Sequence, residues 1–137
     1  MHLFASDMMA GGTMMNKDRV IRYALWTSVA FNLFGALLFA FPSSSLGRFA
    51  GLPVPVPAIY NTMLAFFVAL FAGMYFWLAL QPNIDRPMVA FSAIGKACSF
   101  VLMVILCLLG EIPGRSVLFA SGDLIFACIF AWWLLKT

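Results

Sequence analysis

The sequence predicts an all-α integral membrane protein: an up-down bundle of four transmembrane helices, with an interfacial loop between the first and second spans. Three observations predict it. Hydrophobic residues make up 64% of the 137 residues and charged residues only 9%, whereas soluble domains hold about 45–50% and about 25%. The apolar residues fall into four runs of about 20, each enough to cross a hydrocarbon core of about 30 Å. Turns rich in Pro, Gly and Ser separate the runs. The net charge of +3 is carried by Lys and Arg at the run ends, the pattern of topology signals rather than of a nucleic-acid surface. The expected surroundings are the lipid bilayer, and no nucleic-acid partner is expected.

Residues 1–19 are polar, small or Met-rich and are expected to form a disordered cytoplasmic tail. Met8, Met9, Met14 and Met15 offer alternative starts. Residues 20–137 form the four-span domain. Span 1 covers about 20–41, and Pro42 with Ser43, Ser44 and Ser45 ends it, because Pro lacks the helical N–H and serines compete for backbone groups. No secretory signal peptide is expected, since this run is too long for an h-region and lacks a cleavage site. In the loop that follows, Leu46, Phe49 and Leu52 look amphipathic and suit the membrane surface. Val54-Pro55-Val56-Pro57 should be extended, each Pro disfavouring helix in its predecessor. Span 2 covers about 58–80, span 3 about 88–109 and span 4 about 116–135. Short connections make successive helices antiparallel.

The count of Lys and Arg sets the orientation. One side holds Lys17, Arg19, Arg22, Arg86 and Lys136; the other holds Arg48 and Arg115. The first side is therefore expected to be cytoplasmic, with both termini there. Trp26, Trp77, Trp132 and Trp133 should sit near that same face, as should Tyr75, with Tyr60 anchoring the opposite one.

The polar anomalies lie in the middle of the runs. With a rise of 1.5 Å per residue, Lys96 is roughly 12 Å from the termini-side end of its span, Asn32 roughly 14 Å and Asp123 roughly 18 Å. Their helical faces agree. Ser28, Asn32, Gly35 and Ala36 line one face of span 1, and Ser92, Lys96, Ser99 and Met103 line one of span 3. Ser116, Ala120, Asp123, Ala127 and Ala131 line one of span 4. For span 2 the small-residue stripe is Ala65, Ala69, Ala72 and Phe76. Small residues let membrane helices approach, and hydroxyls and amides bond across them. A lone Lys or Asp at mid-depth costs about 2.5–3.5 kcal/mol on insertion scales, so Lys96 and Asp123 are expected to pair, with Asn32 satisfying a leftover group. The candidate cluster is thus Asn32, Lys96, Asp123, Ser92 and Ser99. Two readings of it stay open: a salt bridge that fixes helix register, or a site for a head group, a proton or a substrate. Snorkelling of Lys96 to the surface is a third.

Other chemistry is excluded or unsupported. Gly95-Lys96 lacks the earlier glycine and following Ser or Thr of a phosphate loop. His2 is the single histidine and lies outside the spans, which excludes a bis-histidine haem site within one chain and a Ser-His triad at Ser99 or Ser121. Cys98, Cys107 and Cys128 show no metal-ligand spacing and read as small buried hydrophobes. No catalytic residue and no metal are assigned.

Asn32 with Gly35, Pro42, Gly73 with Tyr75, Asp85-Arg86-Pro87, Gly95-Lys96 and Gly122-Asp123 together make residues 19–135 resemble the DoxX-like group of small four-helix membrane proteins. Some members of that group are subunits of membrane oxidoreductases, including quinone-linked ones, and most have no known activity. The resemblance implies a bacterial inner (plasma) membrane, with a quinone or a protein partner. The leading expectation is a non-enzymatic subunit or accessory protein that presents Asn32, Lys96 and Asp123 to a lipid-like ligand or uses them for assembly with a partner or in a homo-oligomer. The alternatives are a quinone-binding component of a membrane oxidoreductase, with quinone the one cofactor considered, and a small proton-coupled transporter. Known four-span multidrug carriers centre on an acid in span 1, which this chain lacks.

Overall fold

In hydrocarbon every backbone N–H and C=O must bond within its own segment, so apolar runs of this length become helices. A computed structural model describes residues 2–136. It contains α1 (His2–Ala40), α2 (Ser45–Phe49), α3 (Ala58–Leu80), α4 (Arg86–Leu108) and α5 (Gly114–Lys136), and no strand among the described residues. Stretches long and apolar enough to cross a membrane are Asn16–Ala40, Ala58–Leu80, Arg86–Leu108 and Gly114–Lys136. The chain is a multi-pass membrane protein with an all-α four-helix bundle.

The helix ends follow from local chemistry. Ser44 caps α2 by accepting from Gly47 N (3.1 Å), and Asp85 caps α4 through Oδ1 and Met88 N (3.1 Å), with Pro87 in the first turn. At the far end of α4, Gly110 adopts φ +80°. Its N–H bonds Cys107 O (3.0 Å), and that of Glu111 bonds Leu106 O (2.9 Å). That pair is a Schellman motif, which favours glycine at the left-handed position. One expectation differs at the N-terminus. In place of a tail without structure, the helix of the first span continues back to His2, as propagation costs little once a helix is nucleated.

α1 packs along α3, α4 packs along α5, and α1 meets α5, so the order around the bundle is α3, α1, α5, α4, with antiparallel neighbours. The circle does not close tightly, since no Cα of α3 comes within 8 Å of one in α4. The two ends of the bundle differ. At the end holding the chain termini, Ile21, Leu25, Leu78, Val89, Phe130 and Trp133 belong to one buried cluster drawn from all four long helices. Basic side chains seal that end. Arg22 donates to the carbonyls of Ala79 and Pro82 (2.8 Å each), Arg86 to that of Leu134 (2.8 Å) and Lys17 to that of Lys136 (3.0 Å). Cations at helix C-termini complement the dipole and the unpaired carbonyls, so three residues counted as topology signals also cap helices.

At the opposite end, buried Ser116 donates to Ala50 O (2.8 Å), tying the α2 segment to the first turn of α5. The Phe49 ring meets Phe119 edge-on, 5.8 Å between centroids. Leu46 and Phe49 are exposed, as an interfacial segment should be, but Leu52 turns inward. Trp26, Trp77 and Trp132 are exposed. Trp133 lies at the same end but is buried, and its Nε1 donates to Asp18 Oδ1 (3.3 Å), a partner supplied by the N-terminal extension of span 1.

Candidate functional site: a mid-membrane cavity with an ion-paired floor

Lys96 projects from α4 into the centre of the bundle, where its side chain is 5% exposed. Its Nζ lies 2.8 Å from Asp123 Oδ1 on α5 and 3.2 Å from Asn32 Oδ1 on α1. Three rings surround the same ammonium. The centroids of Tyr75 and Phe126 stand 5.1 Å from it and that of Phe31 5.3 Å. Ring faces attract a cation through their quadrupole, more so when water is excluded. All the long helices therefore meet at this one charge.

A glycine makes the arrangement possible. A Cβ on Gly122 would stand 2.5 Å from Phe31 Cε2, so only a bare backbone lets that ring lie between α5 and Lys96. The remaining polar groups are less completely satisfied. Asp123 is 20% exposed, and its Oδ2 is 3.5 Å from Ser99 Oγ. Asn32 Nδ2 donates to Val68 O at 3.4 Å. Ser92 is buried and donates to Met88 O (2.8 Å), beside the hydroxyl of Tyr75. Ser28, one helical turn before Asn32, is fully buried, and its Oγ has no partner among the described residues.

This cluster is the floor of a cavity of about 520 Å³, within the size range of small-molecule sites, about 300–1,000 Å³. Asn32, Tyr75, Ser92, Lys96, Ser99 and Asp123 all line it. Above them, toward the α2 end, the walls are apolar: Phe67 and Phe71 from α3, Leu102 and Leu106 from α4, Phe119 from α5. Ala50 and Leu52 contribute from the segment that Ser116 ties down. Phe67, Phe71, Leu102 and Leu106 are exposed. The cavity they line faces the gap between α3 and α4, where the backbones stand apart, and is open on that side.

All five residues expected to form the polar level line this space, with Asn32, Lys96, Ser99 and Asp123 joined by direct contacts and Ser92 next to Tyr75. The expectation for span 2 needs correcting. Phe76 of the small-residue stripe points outward and packs edge-on against Trp26 (5.4 Å). The inward line of α3 runs instead through Val68, Ala72, Tyr75 and Ala79. Tyr75, expected as an interfacial anchor, is 2% exposed and belongs to the site. Phe31 and Phe126 complete the site without standing out in the sequence as polar residues do. The available signal was their place in the sequence, one residue before Asn32 and three after Asp123.

No protein-family model matches the chain, and searches of curated proteins and of solved structures gave no match.

Proposed function

We propose that this membrane protein holds a single lipid-like amphiphile, with its polar head on the Asn32–Lys96–Asp123 floor and its apolar body between α3 and α4, and that it serves as a non-enzymatic subunit or accessory protein. The observation that carries this reading is the position of the ion pair. A bridge that served only to fix helix register would be enclosed by packed side chains. Here Asp123 faces an apolar-walled cavity of about 520 Å³, the combination of greasy walls and few convergent polar groups that marks ligand sites. The side opening suits a molecule that arrives from within the bilayer.

A quinone is the second occupant of interest, because Phe31, Phe67, Phe71 and Phe119 offer ring faces for stacking. Proton-coupled transport fits less well: the packed cluster from Leu25 to Trp133 closes the termini end beneath Lys96. Under this proposal both termini are cytoplasmic, on the strength of the Lys and Arg count. Membership of the DoxX-like group, a bacterial inner membrane, and assembly with a protein partner or a second copy are parts of the same proposal and rest on the sequence resemblance.

The test uses Gly95, which lines the cavity and whose Cβ would meet nothing within 4 Å. Gly95→Leu should fill the space without disturbing the bundle. Native mass spectrometry of protein extracted with its own lipids should show a bound amphiphile on the wild type and none on Gly95→Leu at equal thermal stability. Equal adducts on both, or none on either, would remove the proposal.

A further inference from the structure

We propose that the cavity selects a hydrogen-bond-donating, uncharged head, a hydroxyl, over an anionic head and over one that only accepts. This rests on the amphiphile reading above and specifies its chemistry. The donors and acceptors at the floor set this preference. Lys96 supplies the only full positive charge there, and it is already engaged. Its Nζ is held by Asp123 Oδ1 (2.8 Å) and Asn32 Oδ1 (3.2 Å), three ring faces enclose it, and its side chain is 5% exposed. Asn32 Nδ2 is directed to Val68 O (3.4 Å), and Ser92 donates to Met88 O (2.8 Å). Apart from the Ser99 hydroxyl, these donors of the floor are thus directed to acceptors of the protein itself.

Acceptor capacity is what remains open to the cavity. An ionised carboxylate offers about four lone-pair sites. Asp123 uses one for Lys96, and its Oδ2 has only the long contact from Ser99 Oγ (3.5 Å). Asp123 is also the more exposed partner, at 20%. A ligand hydroxyl there donates to a charged acceptor, while the Ser99 hydroxyl, itself exposed, can turn to serve the ligand oxygen. A carboxylate or phosphate head would instead meet Asp123 with no free cation to offset it, because Lys96 and Asp123 sum to zero. An ether or ketone head would leave Asp123 Oδ2 without its donor.

The experiment is a titration of the full chain in lipid discs by native mass spectrometry with three probes of one chain length: 1-dodecanol, dodecyl methyl ether and dodecyl sulfate. The alcohol should bind about tenfold or more tightly than the ether, the worth of one hydrogen bond to a charged group, and the sulfate more weakly than either. Ser99→Ala, which leaves the ion pair intact, should leave the gap between alcohol and ether in place, because the alcohol still donates to Asp123. Sulfate binding as tightly as the alcohol, or ether and alcohol binding alike, would overturn the inference while leaving the cavity a binding site. Failure of all three probes to bind the wild type in competition with Gly95→Leu as the blank would overturn the amphiphile reading as well.

Discussion

Removing Asp123 should harm this protein more than removing Lys96, and removing both should harm it least. Taking away one partner of a buried ion pair costs about 3–5 kcal/mol, because the other is left charged and unpaired. The two orphans are not equivalent here. After Asp123→Ala, Lys96 remains 5% exposed, with Asn32 Oδ1 and three ring faces as its only compensation, so the loss should reach the upper part of that range. After Lys96→Ala, Asp123 faces the cavity at 20% exposure and keeps Ser99. The loss should then be about 2.5–3.5 kcal/mol, the insertion cost of a mid-depth Asp. The double variant leaves no orphan charge and should fall within about 2 kcal/mol of the parent, since apolar replacement of a whole buried pair is often close to neutral. Unfolding by SDS in mixed micelles, followed by circular dichroism, gives all four free energies. Costs that add to within about 0.5 kcal/mol would show that the two side chains do not act as a pair. A larger loss for Lys96→Ala than for Asp123→Ala would refute the ranking by exposure.

Three further outcomes follow from single contacts. Gly122→Ala places a methyl group where Phe31 lies and should cost about 1–3 kcal/mol as an overpacked contact, with much of that recovered in Gly122→Ala/Phe31→Leu; the same SDS titration reads both. Ser116→Ala removes the bond to Ala50 O; it should cost about 1 kcal/mol and speed amide hydrogen exchange over residues 47–52 without changing exchange in α4. Ser28→Ala runs the other way, because the hydroxyl is fully buried and has no partner among the described residues. Thermal denaturation should show unchanged stability or a gain of about 1 kcal/mol, the return from deleting an unsatisfied group.

What the sequence made legible was decided by the cost of charge in hydrocarbon. Lys96, Asp123 and Asn32 stood out because nothing apolar explains them at mid-depth, and one rise per residue placed them at a common height. The spans themselves were legible for the same reason: chain in lipid has few alternatives to helix. Tyr75 was hidden because tyrosine near a run end ordinarily anchors at the interface, and only tertiary packing shows that its ring turns inward onto Lys96. The stripe on span 2 failed at Phe76 because alanines occur around much of that helix, so small-residue spacing did not single out one face. The cavity was not legible at all. Its volume depends on how far α3 stands from α4, and in a bilayer lipid solvates an apolar face as well as another helix does, so the apolar pattern does not fix that distance.

The most direct test of the central claim is photolabelling with a dodecanol that carries a diazirine midway along its chain, followed by peptide mapping. The account predicts saturable labels on Phe67, Phe71, Leu102 or Leu106, suppressed by unlabelled dodecanol and lost in Gly95→Leu. Labels spread over the lipid-facing surface, such as Ile59, Leu70 and Leu118, and insensitive to competitor would contradict it.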